Sequence, residues 1–108
     1  MSSYTELINN NSEGIFIISK IDCSLCEKLK GLFDTIEVKY KTYLYQEKTD
    51  NCLAFKTDMK IKTNGTKFPF CYFNGKYVGG YKEIHTNLMT GKLQEQLSDI
   101  GIDYEEDF

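Results

Sequence analysis

Ile15-Phe16-Ile17-Ile18, a run of apolar and mostly β-branched residues following Gly14, restricts the fold of this chain more than any other segment. Alternate residues of a strand point to opposite faces, so a strand with no polar position must be covered on both sides. The run therefore predicts a central strand with helices above and below its sheet. From Ser24, the positions Leu25, Leu29, Leu32, Phe33 and Ile36 recur at helical spacing and predict a helix packed along one stripe. Val38 to Tyr45 sets Val38, Tyr40, Thr42 and Leu44 against Lys39, Lys41, Tyr43 and Tyr45, an alternation that suits a second strand. Ser3 to Asn11 reads as a short helix opening at a serine cap. Thr49 to about Lys60 reads as another, with Leu53 and Phe55 inside and Asp50 near its N-terminus.

Asn74-Gly75 stands between the short β-prone runs Phe70–Phe73 and Lys76–Val78. This dipeptide is the strongest local signal for a two-residue hairpin, so an antiparallel pair is predicted there. Gly79-Gly80 ends the second run, and Tyr81 to Met89 and Lys92 to Ile100 read as two helices parted at Gly91. The order is α-β-α-β-α-β-β-α-α, which predicts an α/β fold: a four-stranded mixed sheet flanked by helices on both faces. At 108 residues and 41% hydrophobic content, a single domain over residues 1–108 is expected, with its core at about 14–100 and an acidic tail at 103–108.

Composition narrows the function. No stretch approaches the roughly 20 apolar residues that span a bilayer, and residues 1–11 lack a basic segment followed by an apolar one, so a cytoplasmic protein without membrane contact is expected. A net charge of −3 and the tail Asp103-Tyr104-Glu105-Glu106-Asp107 argue against nucleic acid as a partner. All 13 basic residues are lysines, so an anion site has to be built from point charges and backbone N–H groups.

Cys23-Ser24-Leu25-Cys26 falls where the buried strand ends and the first long helix begins. Cysteines three apart in a first helical turn are close enough to join, and the unpaired N–H groups of that turn favour thiolate over thiol. Cys23, nearer the helix mouth, is then the nucleophile and Cys26 the resolving thiol, with Lys20 adding to the positive field. A C-x-x-C is also half of many zinc sites. Cys52, Cys71 and His85 are isolated from one another, however, with no second pair at ligand spacing, which favours redox chemistry over a metal site. Cys52 and Cys71 read as packing residues, and His85 as a surface or capping histidine. Pro69, the only proline, opens the strand Phe70–Phe73.

Over roughly residues 14 to 100 these features resemble the glutaredoxins of the thioredoxin-fold superfamily. Lys20-Ile21-Asp22-Cys23-Ser24-Leu25-Cys26 is similar to the family's K-x-x-C-P-Y-C, Lys67-Phe68-Pro69 to its T-V-P with a cis proline, and Gly79-Gly80-Tyr81-Lys82-Glu83 to its G-G-x-x-D. The resemblance implies a thioredoxin fold and a glutathione-dependent reductase of protein disulfides and glutathione mixed disulfides, with Cys23 and Cys26 catalytic. It further implies that Lys20 meets a glutathione carboxylate and that Phe68 lends its backbone to the cysteinyl part of glutathione, beside a cis Pro69. Lys67 and Lys60 are weaker candidates for the glycyl carboxylate. Gly80, Tyr81 and Lys82 would bind the γ-glutamyl carboxylate and Glu83 the γ-glutamyl amine. Serine and leucine between the cysteines, Lys67 for threonine, Phe68 for valine and Glu83 for aspartate depart from the family pattern. Expected partners are glutathione and disulfide-containing proteins, ribonucleotide reductase among the candidates, acted on by a monomer. Two alternatives remain: a redoxin recharged by a thioredoxin reductase, and an iron–sulfur or glutathione-binding module, in which Cys23 from each of two chains would hold a cluster. The dithiol motif does not favour a cluster.

Overall fold

The computed structural model describes residues 4–46, 52–65 and 67–102, and the expectations for Ser3, Thr49, Asp50, the side chains of Cys52 and Leu53, and the acidic tail lie outside them. Within the described residues the elements follow the expected order: α1 Tyr4–Asn10, β1 Ile15–Lys20, α2 Ser24–Thr35, β2 Lys41–Tyr45, α3 Cys52–Thr63, β3 Phe70–Phe73, β4 Lys76–Gly79, α4 Tyr81–Thr90 and α5 Lys92–Asp99. The sheet order is β2-β1-β3-β4, with β1 parallel to β2 and antiparallel to β3, and β3 antiparallel to β4. This is the mixed four-stranded sheet of the thioredoxin fold, and the apolar β1 is internal to it.

The period of two along the strands sorts the core into two layers. Phe16 and Ile18 of β1 and Phe70 and Tyr72 of β3 meet Tyr4 and Leu7 of α1 and Phe55 and Met59 of α3. Ile15, Ile17, Cys71 and Phe73 face the other way, toward Leu29 and Phe33 of α2, Ile84 of α4, and Leu93 and Leu97 of α5. Aromatic rings dominate the first layer. Tyr4, Phe55, Tyr45, Phe68, Phe70, Tyr77 and Tyr72 form a closed circuit with neighbouring centroids 5.1–6.4 Å apart. Such pairs add to the energy of area burial, and here they lock Phe68 to the core. The Tyr4 and Tyr72 hydroxyls also satisfy each other at 2.8 Å inside the protein.

Asn74 and Gly75 take φ of 50° and 80°, as a turn with left-handed central residues requires. The Asn74 side chain then accepts the Gly14 N–H at 2.7 Å, while its own N–H donates to the Gly14 carbonyl, tying the hairpin to the entry of β1.

Two boundaries differ from expectation by several residues, and one strand pair carries an irregularity. Val38–Tyr40 is not strand, because α2 ends in a Schellman arrangement built on Glu37 at φ 58°. The Glu37 N–H donates to the Asp34 carbonyl and the Val38 N–H to the Phe33 carbonyl, and the Tyr40 hydroxyl donates to Asp34 at 2.9 Å. These bonds fold residues 38–40 onto α2 and leave only Lys41–Tyr45 to pair with β1. Helix α3 runs to Thr63, beyond Lys60, and Asn64 takes the left-handed conformation there. Between β3 and β4 the register slips at Cys71/Tyr72, which frees β4 to bend toward Gly79.

Burial gives the protein an alkaline limit. Desolvation pushes the buried Cys71 thiol above its ordinary 9.0, and it does the same to the Tyr72 and Tyr4 phenols from 10.0. Groups raised by folding contribute stability that is complete below their unfolded pKa and lost as pH rises past it. Urea denaturation of the disulfide form is expected to give constant stability near neutrality. Above the unfolded Cys71 value it should fall by about 1.4 kcal/mol per pH unit per group, more steeply once the phenols join. Cys71→Ala should delay the fall to the tyrosine range; an unchanged profile in that variant would assign the loss elsewhere.

Candidate active site

Cys23 is the N-cap of α2, with extended dihedrals (φ −112°, ψ 103°), and Cys26 lies one turn on. Asp22, at φ 56°, turns the chain out of β1 so that Cys23 reaches the surface while Cys26 enters the core. The pair is joined as a disulfide with Cα atoms 5.2 Å apart. Cys23 is partly exposed and Cys26 fully buried, so only the first sulfur meets a substrate directly. The Cys26 backbone N–H donates to the Cys23 Sγ at 3.2 Å. On reduction, that N–H and the positive end of α2 stabilise negative charge on this sulfur.

A cleft of about 920 Å³ opens beside Cys23, floored by Phe68, Phe70 and Met59 and walled by the ends of β1 and β2 and one side of α3. Lys20 lines it, with its Nζ 5.4 Å from the centroid of the Phe68 ring. Lys67 and Phe68 border this cleft and also a second depression, which continues past Leu25 to Gly79, Gly80, Tyr81, Lys82 and Glu83. The Phe68–Pro69 peptide is cis. The site residues expected from sequence thus line these two adjoining depressions beside the disulfide, except Cys26 and Pro69, which are buried.

At the start of α4 the Glu83 carboxylate turns back and accepts the Gly80 N–H at 2.7 Å. Gly80 is therefore already capped, and of the three N–H groups expected to bind an anion, those of Tyr81 and Lys82 remain at the helix entry. Gly79 has to be glycine: it sits at φ 120°, and an added Cβ would lie 2.6 Å from the Glu83 Cβ. Tyr81 shapes the rim, half-buried and packed on the exposed ring of His85, which stands away from both cysteines' cleft.

Leu25, expected on the buried stripe of α2, is instead 39% exposed and borders both depressions. Leu44 is exposed and Tyr45 buried, so β2 turns its tyrosine face inward. Gln46, Lys56 and Met59 line the cleft without having been expected there. The i, i+4 spacing of Lys56 and Lys60 was the available signal, since it puts both on one side of α3.

A disulfide at a strand-to-helix junction of this sheet, facing a cis-proline loop, defines a dithiol protein of the thioredoxin fold. No family model matches the chain. It is 30% identical over 88 residues to Glutaredoxin-2, mitochondrial, of Mus musculus, an alignment covering 82% of this chain and 54% of the relative. It also superposes on oxidized glutaredoxin 2 from Chlamydomonas reinhardtii with a TM-score of 0.74 and 27% identity, over 93% of this chain and 98% of that one. The buckwheat glutaredoxin–glutathione complex superposes with a TM-score of 0.79 and 24% identity, over 91% and 89%. The chain belongs to the glutaredoxin family. It spans about half the length of the curated relatives it matches.

Proposed function

We propose that this protein is a glutathione-dependent thiol-disulfide oxidoreductase acting through the Cys23–Cys26 dithiol. The observation that carries the reading is the Cys26 N–H aimed at the Cys23 sulfur, at the mouth of an accessible cleft. The reduced Cys23 thiolate attacks the glutathionyl sulfur of a mixed disulfide, the S–S bond breaks, and the substrate leaves as a thiolate that takes a proton from solvent. A second glutathione thiolate then attacks the glutathionyl sulfur on Cys23, releasing glutathione disulfide and restoring the Cys23 thiolate. On a protein disulfide, Cys26 instead loses its proton, displaces the bound substrate sulfur and closes the disulfide.

Glutathione lies across the two depressions in this reading. Lys20 and Lys67 face the glycyl carboxylate, and the Phe68 backbone pairs with the cysteinyl part. The Tyr81 and Lys82 N–H groups at Gly80 take the γ-glutamyl carboxylate, and the Glu83 carboxylate supplies the counter-charge for the amine. A glutathione complex of the buckwheat relative supports this arrangement. The unit works as a single-domain monomer in a compartment with reduced glutathione, which we take to be the cytosol. Protein disulfides, that of ribonucleotide reductase among them, are its proposed substrates.

The test is turnover of a small glutathione mixed disulfide by the wild-type protein, recharged either by glutathione with its reductase or by thioredoxin reductase. Glutathione-supported turnover is expected. Turnover with thioredoxin reductase alone would replace this reading with that of a dedicated redoxin.

A further inference from the structure

Lys20 ends β1 beside Tyr45 of β2, its partner in the parallel register. Tyr45 is buried and stacks on the Phe68 ring with centroids 5.5 Å apart, and Phe70 meets that ring edge-on at 5.1 Å. Two neighbours therefore fix the Phe68 ring at the floor of the cleft. The Lys20 Nζ lies over this ring, 5.4 Å from its centroid, close enough for the ring quadrupole to attract an ammonium. Of the two lysines that face the glycyl carboxylate in the reading above, Lys20 alone rests on a ring among the described residues.

We propose that the Phe68 ring is a positioning element for Lys20, holding its ammonium over the cleft floor where it meets the glycyl carboxylate of glutathione. The inference rests on the glutathione reading and adds a side-chain role at a residue for which that reading uses only the backbone. A lysine has a long, flexible stem whose freedom is lost when its head is fixed on a ligand. An ammonium already resting on a ring has given up part of that freedom before the ligand arrives. The ring covers one side of the ammonium and leaves its other N–H donors to the carboxylate. Valine, which the family pattern has at this position, offers no such face, so the departure at residue 68 supplies the hold on Lys20.

The test uses the full chain carrying Cys26→Ala, so that a mixed disulfide on Cys23 cannot close. The Cys23 thiolate attacks glutathione disulfide, its S–S bond breaks, one glutathione stays on Cys23 and the other leaves as a thiolate. Mass spectrometry gives the equilibrium constant, which is compared with that for the disulfide of γ-glutamyl-cysteinyl-glycinamide, whose glycyl carboxylate is replaced by a neutral amide. The ratio of the two constants measures preference for the carboxylate. Phe68→Leu should lower that ratio about two- to fivefold, the range of an exposed cation–π contact. Pentafluorophenylalanine in place of Phe68 should do the same, since it fills nearly the same space while reversing the charge distribution of the ring face. Neither change should alter the ratio once Lys20→Met is present. In NMR spectra the ε-methylene protons of Lys20, shifted upfield by the ring, should return to an ordinary lysine position in Phe68→Leu. An unchanged ratio with the fluorinated ring, or a higher one, which would mean that ring and carboxylate compete for the ammonium, would overturn the positioning role and leave the glutathione reading intact. A parent protein without preference for the carboxylate would remove the role of Lys20 and this inference with it, and failure to form the mixed disulfide at all would remove the glutathione reading as well.

Discussion

Cys23→Ser should lower glutathione-coupled turnover by on the order of a thousandfold or more, the loss seen when an enzyme's nucleophile is removed. The Cys23 sulfur sits at the N-cap of α2 with the Cys26 N–H directed at it. These groups stabilise a thiolate, whereas a serine hydroxyl stays protonated at neutral pH and its oxygen forms no stable bond to a disulfide sulfur. Cys26 gives the contrasting outcome. It is fully buried, so alanine is the better replacement, since a serine hydroxyl there would need a partner. Cys26→Ala should keep most of the activity on a small glutathione mixed disulfide and stall on a protein disulfide, with the substrate still attached to Cys23 and detectable by mass spectrometry. If Cys26→Ala were as inactive as Cys23→Ser on the small substrate, the division of labour between the two sulfurs would be wrong.

The second large effect is on stability. Phe33→Ala should cost about 3–5 kcal/mol, the usual range for removing a buried aromatic ring. Phe33 has no exposed surface, and its ring meets Tyr40 at 5.9 Å and Phe73 at 6.4 Å, joining α2 to the sheet and to the segment that follows it. Against a typical total of about 5–15 kcal/mol, this is a large fraction. Chemical denaturation should show the midpoint falling with little change in slope. A loss below about 1 kcal/mol would mean that the neighbouring side chains collapse into the space. Because Cys23 caps α2 and Cys26 lies in its first turn, partial loosening of this contact should also slow closure of the disulfide.

Much of the architecture was legible because local chemistry and global fold agree. Four apolar residues in Ile15–Ile18 had to lie inside, Asn74-Gly75 had to turn, and Cys23 and Cys26 had to share a helix entry. The end of α2 was hidden because Glu37 takes a left-handed conformation normally marked by glycine. The inward face of β2 was ambiguous because both alternating sets mix apolar and polar side chains; packing of Tyr43 and Tyr45 on Phe55 decides it. Leu25 matched the helical stripe in number but lies in the first turn of α2, a full turn before Leu29, where the opening of the site leaves it uncovered. The Glu83 bond to Gly80 was concealed by its second meaning, since an acid three residues after a helix start serves both as a cap and as a ligand.

The strand order also bears on how this protein meets others. Its outer strands are β2 and β4, of five and four residues, and each opens with an exposed lysine, Lys41 and Lys76. Short borders bearing a charge that must be desolvated are poor templates for adding a foreign strand by backbone pairing. The sheet is in this way insulated against edge-to-edge growth even though its interior is almost wholly aromatic and aliphatic. Recognition at the site is left to side chains around one sulfur and not to backbone pairing along an edge of the sheet.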